Sequence, residues 1–433
     1  MTGYSSILEE ALENYEFFPR TEVPLESLPL LVKLRDRFKS QSPFAEIDVL
    51  FIQHHLGSFP GRLNAMIDCG LDPGRTWFID IPYSTHTDVI DKLHELHFPS
   101  NQMTDQLTDP LEPYNEAQSK RVSSLMESLE KRKNPRPLLV VDDGAYFARY
   151  LKSLQRDDPD RLKLYMGTSV VEQTTRGHRY LFNDALDVLF ACGISVVSIA
   201  RCKTKTIFEG PFIGAAQALV IRNYFKKQEN INAKNAAIIG CGVVGKSTLK
   251  ELCRLYPYIN VDVVDIDASV RSRLSNGVPQ LRNDREYDIV IGCTGYNSFH
   301  LDQRSLLADG ALLVSGSSAA IEFNRAAFIE LADRYPDDEI EILDRVETVA
   351  KGLHTEIKFR QEGGKVFSFL NAGFPVNFDG SLESLPSKII QATHGLMFIA
   401  SIQTLMQKGP GINTIDPIED NRVLEEAFDQ LAS

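Results

Sequence analysis

Short runs of β-branched and aliphatic residues alternate along this chain with stretches whose apolar positions recur at three- and four-residue spacing. That is the pattern of strands followed by amphipathic helices. Up to Pro29 the chain reads as a helix and a proline-marked loop, and Leu30 to Ser40 as a basic amphipathic helix. Ile47 to Ile52 predicts a short strand ending at His54, and Arg62 to Cys69 a helix stopped by the turn at Gly70. A strand at Trp77 to Ile81 and a helix from Thr87 to Leu96 follow. A long charged helix covers Asn115 to Lys133, ended by Arg136-Pro137. Leu138 to Val141 is then a strand running into Asp142-Asp143-Gly144.

A second alternating series starts at Asn235. Ala236 to Ile239 reads as a strand, Gly240 to Gly245 as a glycine-rich turn and Lys246 to Leu255 as a helix. Further strands are expected at Val261 to Val264, Ile289 to Gly292 and Leu312 to Ser315. Arg201 to Gly214, with its basic residues and glycines, reads as a hinge crossing, and Phe367 to Gly380 as the return. Pro386 to Met406 is expected as a helix apolar on one face that packs back on the first domain. The fold class is therefore α/β, with two doubly wound parallel-sheet, Rossmann-like domains. The expected division is 1–205, 206–376 and 377–433, the middle domain being inserted into a discontinuous first one.

Composition narrows the class. The 433 residues are 43% hydrophobic, which excludes a disordered chain, and no uninterrupted apolar run approaches the roughly 20 residues of a membrane span. Lys and Arg total 46 against 59 Asp and Glu, a net charge of −13, so neither nucleic acid nor a membrane surface is an expected partner. Met1 to Tyr15 is polar and acidic, unlike a signal or transit peptide, and a cytoplasmic location is expected. The six cysteines form no CxxC pair and read as reduced structural thiols. The nine histidines include no HExxH, and His54 and His55 on a regular strand would point to opposite faces, so no metal is expected.

Gly240-Cys241-Gly242-Val243-Val244-Gly245 fits GxGxxG after a strand and before a helix. Its glycines would give a tight turn, room for a pyrophosphate and close helix–strand packing, with the helix N-terminus facing the phosphates. Val263-Val264-Asp265 then places a carboxylate at the next strand end, where it would bind both ribose hydroxyls and repel a 2′-phosphate. NAD rather than NADP is the expected cofactor; Asp267 is the alternative acid. Cys293-Thr294-Gly295 ends a later strand and would line the same cleft.

Three features of the first domain resist explanation as packing: His54 and Asp142-Asp143, both at strand ends, and the polar segment Glu172-Gln173-Thr174-Thr175-Arg176-Gly177. The plainer alternatives are a helix N-cap for an aspartate and a surface turn for the TTRG segment. Lys205 is either part of a solvated basic turn or a lysine whose pKa is lowered by desolvation so that it serves as a general base.

These residues together resemble the S-adenosyl-L-homocysteine hydrolases, in the family's order and at similar spacing. Gln53-His54, sixteen residues before Gly70, resembles the strand carrying the family's substrate-domain histidine. Val141-Asp142-Asp143-Gly144 resembles LDDGG, placing Asp143 on the catalytic aspartate. Glu172 to Gly177 is similar to EETTTG, whose threonines contact NAD, here Thr174 and Thr175. Thr204-Lys205 with Phe208-Glu209 resembles TKxKFDN and places Lys205 on the catalytic lysine. Gly240 to Lys246 is similar to GYGDVGK, Asp265-Ile266-Asp267 to EID, and Ile321-Glu322-Phe323-Asn324 to VEID. Leu370-Asn371-Ala372-Gly373 resembles VNLG, whose asparagine meets the nicotinamide amide.

The resemblance implies tightly held NAD that oxidises a ribose 3′-hydroxyl, acidifies the C4′ proton, and is regenerated after the 5′ substituent leaves and water adds. It also implies a homo-oligomer, a dimer or tetramer. The departures lie mostly on the substrate side. Gln173 stands for a ribose-binding glutamate, Glu209-Gly210 for Asp-Asn, Gly214 for a cysteine, and Ser318 and Phe378 for cleft histidines. Leu56 and Ser58 replace residues that read adenine, Tyr146 and Ser368 residues near homocysteine, and the Lys/Tyr-rich tail is not found. The expected catalytic set is therefore His54, Asp143, Lys205 and Glu209, with Gln173, Ser318 and Phe378 binding substrate. A nucleoside-like substrate other than S-adenosylhomocysteine follows, because losing a buried polar reader changes selectivity strongly. The alternatives are a non-catalytic NAD-binding regulator and a genuine S-adenosylhomocysteine hydrolase.

Overall fold

The computed structural model describes residues 23–104, 112–227, 233–274, 277–334, 339–344, 353–360, 364–407 and 409–432. The helix expected before Pro29 falls largely at 1–22, outside the described residues; Leu25–Ser27 is a single 3₁₀ turn. The chain divides into two compact units. One comprises Met1–Leu107, Asn115–Glu209 and Pro386–Ser433, the other Thr108–Tyr114 and Gly210–Leu385. The boundaries expected at 205/206 and 376/377 precede those of the units.

In the first unit, β1 (Asp48–Gln53), β2 (Thr76–Asp80), β3 (Leu138–Asp142), β4 (Ser169–Glu172) and β5 (Ser195–Ser198) are buried along their whole length. Burial on both faces explains why they read as continuous apolar runs rather than as alternation. With the C-terminal strand Gly411–Thr414 they form a parallel sheet in the order C-terminal strand–β5–β4–β3–β1–β2. The order reverses between β1 and β3, the switch point at which open α/β sheets leave a crevice at their carboxyl edge.

Two expectations for this unit are corrected. The helix Ser387–Met406 is buried nearly all round, packed on β4, β5 and the helix Pro29–Phe38, rather than apolar on one face. It is long and apolar enough by composition to cross a membrane, but most of it lies inside the unit. Arg201 to Gly214 does carry the chain from one unit to the other, but as helix rather than as an irregular hinge. A π-type turn, Thr204–Glu209, closes the first unit and the helix Gly210–Lys227 opens the second. The turn is nucleated by Asp420, whose carboxylate accepts from Lys203 N (2.7 Å), Thr204 N (3.1 Å) and Thr204 Oγ1 (2.7 Å). It thereby satisfies backbone donors that a helix start leaves open.

The second unit contains β6 (Asn235–Ile239), β7 (Asn260–Val264), β8 (Gly277–Val278), β9 (Tyr287–Gly292), β10 (Leu307–Ser315), β11 (Glu339–Asp344), β12 (Thr355–Arg360) and β13 (Val366–Phe369). Their order is β11-β12-β13-β10-β9-β6-β7-β8, with β8 to β13 parallel through β10 and with β11 and β12 added antiparallel at one edge. Read from β8 to β13, this is the 3-2-1-4-5-6 order of a dinucleotide-binding sheet, with the switch point between β6 and β9. Phe367 to Phe369, expected to begin the return crossing, is instead strand β13. Its phenyl rings pack with Phe328 and Phe359, which accounts for the local aromatic density. The helix after β6 begins at Val243, earlier than Lys246, so Val243, Val244 and Gly245 form its first turn.

Candidate functional site

In the first unit the chain leaves β1 at Gln53 and β3 at Asp142, so His54 and Asp143 flank the switch point. His54 Nε2 lies 3.2 Å from Asp143 Oδ2. His54 Nδ1 is 2.5 Å from Ser84 Oγ, whose hydroxyl donates to Ile81 O at 2.9 Å. The Ser84 proton being spent there, Nδ1–H is the donor to Ser84, and the Nε2 contact needs a further proton between imidazole and carboxylate. Asp143 is buried, and the ring edge meets Tyr83 at 5.9 Å. Because Tyr83 and Ser84 lie on the turn after β2, three strand ends converge on this ring.

Lys205 and Glu209, four residues apart on the π-type turn, form a largely buried ion pair. His394, from the helix Ser387–Met406, sits 2.8 Å through Nε2 from Ser58 Oγ. Burial, followed by the charges of Arg62, Lys205 and His54, pushes its pKa well below the usual imidazole range and keeps it neutral. Those charges place Lys205 and His54 in its surroundings. Gln173 N donates to Asp142 O at 3.1 Å, beside Asp143. Gln173 Oε1 and His394 Nδ1 are buried without a hydrogen-bond partner, an arrangement a polar ligand would complete.

The segment after β4 serves the fold more than its composition suggests. Glu172 is buried and accepts from Gly144 N (3.2 Å), Ala145 N (2.9 Å), Thr174 N (2.7 Å) and Thr174 Oγ1 (2.7 Å). Thr174 caps the helix Thr175–Asp184, accepting from Gly177 N at 2.9 Å, whereas Thr175 is exposed. A Cβ on Gly177 would lie 2.2 Å from the Glu172 carboxyl carbon, so only glycine admits this carboxylate. Burial and the nearby Asp142 raise the Glu172 pKa, and burial raises Asp142 to about 7 against two backbone N–H donors.

In the second unit the glycine loop leaves β6. Gly240 has φ +91, and a Cβ there would meet Cys293 backbone atoms at 2.8 Å. A Cβ on Gly245 would meet Gly240 O at 2.0 Å, whereas nothing lies within 4 Å of one on Gly242. The helix Val243–Leu255 has no side-chain cap and no acid in its first turn. Open space at the middle glycine before an uncapped helix N-terminus fits a pyrophosphate. Asp265 Oδ2 accepts from Cys241 N at 2.6 Å, which holds this acid against the loop. Asp267 instead caps the short helix Ala268–Arg271. A dinucleotide thus fits these residues, with Asp265 as the acid held at the loop.

Across the switch point, Cys293, Thr294 and Gly295 follow β9 and are tied down by buried Glu322. It accepts from Gly295 N (2.6 Å) and Thr294 Oγ1 (2.8 Å). Burial raises its pKa. Asn371 and Ala372 hold left-handed φ of 49° each. The Asn371 amide donates to Phe378 O (2.6 Å) and Pro375 O (3.2 Å). Phe378 therefore contributes its carbonyl to this turn, which also takes His354 Nδ1 at 3.0 Å, while Ser318 lies half-buried beyond β10. Ser84, Ser58, His394 and Glu322 had not been assigned roles in the sequence reading. A lone histidine within the apolar run before Met397 was the available signal for His394.

No family model matches the chain. Two curated relatives, the uncharacterized proteins MT0113 and Rv0104 of two Mycobacterium tuberculosis strains, are each 28% identical over 333 residues. The match takes in 76% of this chain and 58% of theirs, so the chain spans little more than half the length of those relatives. Among solved structures, the D-lactate dehydrogenase of Escherichia coli is 13% identical with a TM-score of 0.33, over 66% of this chain and 78% of that one. The NAD⁺-bound 3-phosphoglycerate dehydrogenase of Entamoeba histolytica is 11% identical with a TM-score of 0.31, over 67% and 78%. The plantazolicin methyltransferase BpumL is 13% identical with a TM-score of 0.26, over 45% and 82%. At these values the fold rests on the sheet topology of the chain itself.

Proposed function

We propose that this chain is an adenosylhomocysteinase-like, NAD-dependent enzyme that transiently oxidises a hydroxyl of a nucleoside-like substrate and promotes elimination or hydrolysis at the adjacent position. The observation that carries the reading is the His54–Asp143 pair at the switch point of the first sheet. It is an acid–base pair, its carboxylate buried and its imidazole half-buried, at the sheet edge where ligands bind. Bound NAD would supply a hydride acceptor that returns the hydride at the end of each cycle, leaving no net redox change. Lys205, paired with Glu209, takes the proton of the hydroxyl being oxidised after passing one of its own to the Glu209 carboxylate. Asp143 takes the proton that the new ketone acidifies on the neighbouring carbon. His54 protonates the leaving group one carbon further, and then relays the proton of the incoming water. Gln173 and His394 offer their unpartnered atoms to the substrate.

The test is the NADH absorbance band of the purified holoprotein when nucleosides are added. A band is expected with at least one nucleoside, and none in Lys205→Ala at unchanged NAD content. A band of the same size and rate in Lys205→Ala would overturn the assignment. A second reading, a non-catalytic NAD-binding regulator, is favoured by Thr174 and Asn371, whose side chains are engaged in capping and turn contacts. It predicts no band with any nucleoside.

A further inference from the structure

His54 and His55 are neighbours, yet they face different surroundings: His54 turns to Asp143, and His55 to the far side of β1's end. A cavity of about 220 Å³ opens there, lined by His55, Asp80, Thr85, Ile90, His94 and Met103, together with Ser100 and Thr104. His55 is 1% exposed, and both its ring nitrogens are without a hydrogen-bond partner. Its ring is fixed by stacking on Phe59, at 5.0 Å between centroids and 13° between planes. An imidazole so buried normally satisfies both nitrogens.

Asp80, Thr85 and Thr104 in this wall are already matched. Asp80 is paired with Arg121, and it accepts from Thr104 Oγ1 and Thr85 Oγ1 at 2.6 Å each. Both hydroxyl hydrogens are therefore spent, and the carboxylate charge is balanced. Burial holds the His55 pKa down at about 4, so the ring is neutral, with one donor and one acceptor. An anion would meet the Asp80 carboxylate, and a cation would find that carboxylate already paired with Arg121. Ile90 and Met103 add an apolar wall with a thioether suited to a flat ring. An engineered cavity of about 150 Å³ is enough for benzene. Among the described residues, no group of three or more His, Cys, Asp or Glu is placed to hold a metal ion.

We infer that this cavity is a second binding site, separate from the His54–Asp143 pair. Its ligand is an uncharged six-membered ring with a hydrogen-bonding group on its rim that meets one of the His55 ring nitrogens. This goes beyond the proposed reaction and does not depend on it.

The experiment uses the full-length protein, with uracil as probe and orotate, the same ring bearing a carboxylate, as its charged counterpart. Side-chain ¹H–¹⁵N spectra, with His55 identified by the signals lost in His55→Phe, should show uracil moving the His55 ring nitrogens saturably. Orotate should leave them in place, and Met103→Trp, which fills the cavity, should weaken uracil at least about tenfold. No movement at about 10 mM uracil, equal binding of orotate, or undiminished binding to Met103→Trp would each overturn the proposal. If Met103→Trp fails to fold, saturation transfer to uracil on His55→Phe decides. Loss of the signal supports the site, and an unchanged signal sinks it.

Discussion

His54 Nε2 and Asp143 Oδ2 meet at 3.2 Å although their strands, β1 and β3, are separated in sequence by β2 and three α-helices. The contact follows from strand order. β3 pairs directly with β1, Val141 lying opposite Phe51, so the residues just past each strand end emerge side by side. A contact to a buried carboxylate is costly to break from one side only, because the remaining polar group loses its partner. His54→Ala should therefore destabilise the first unit by about 3 kcal/mol. Asp143→Asn keeps a hydrogen bond to the ring and should cost only about 1 kcal/mol, while leaving the nucleoside-dependent NADH band in place, because the proton transfer it blocks follows the oxidation. Urea unfolding of the two variants checks the order; equal losses would remove the charge from the account.

Gly177 gives a second graded comparison. A methyl group there falls within 2.4 Å of all three carboxyl atoms of Glu172, a side chain locked by backbone donors on two segments. It has nowhere to move. Gly177→Ala should cost about 3 kcal/mol or more. Gly167→Ala, at an exposed turn with φ +70 and nothing within 4 Å of the new methyl, should cost about 1 kcal/mol from backbone strain alone. Comparable denaturation midpoints for the two variants would show that Glu172 can shift.

How much of this was readable in the chain depends on how local the physics is. The glycine loop and Asp265 were legible because turn, helix start and strand end lie within a few residues of one another. His54 and Asp143 were legible as polar residues ending buried apolar runs. The Ser58–His394 bond, between residues 336 apart, leaves no local trace. Neither does the capping of Thr204 by Asp420, without which Lys205 reads as part of a basic turn. The antiparallel strands β11 and β12 are hard to read because charged residues are interspersed along both, a pattern the edge strand β11 tolerates. Thr174 and Thr175 were read toward a cofactor, although the N-cap geometry of Thr174 is the commoner use of such a residue.

Two buried groups should tilt the pH dependence of stability in opposite directions. Asp142 has its pKa raised by burial from 3.8 to about 7. Its contribution is fully present below the unfolded value and is lost as pH rises toward 7. His55 has its pKa lowered by burial from 6.5 to about 4, so its contribution is present above 6.5 and lost as pH falls toward 4. Between about pH 5 and 7, the stability of wild type relative to Asp142→Asn should fall with rising pH. Relative to His55→Phe it should rise. A flat comparison for either variant in urea unfolding would mean that the group it replaces titrates in the fold as it does in water.

The loop glycines separate binding from folding. Gly245 packs its Cα against Gly240 O, where a methyl would sit at 2.0 Å, so Gly245→Ala should destabilise the second unit by about 3 kcal/mol. Gly242 has φ −71, a value any residue adopts, and open space where its side chain would be. Gly242→Ala should leave stability within about 1 kcal/mol of wild type. The new methyl would nevertheless stand in the path of a pyrophosphate approaching the helix N-terminus. NAD affinity should therefore fall at least about tenfold, the equivalent of about 1.4 kcal/mol. Fluorescence titration with NAD after confirming the melting temperature makes the distinction. If Gly242→Ala binds NAD as wild type does, the phosphates do not cross this loop, and Asp265 faces no ribose.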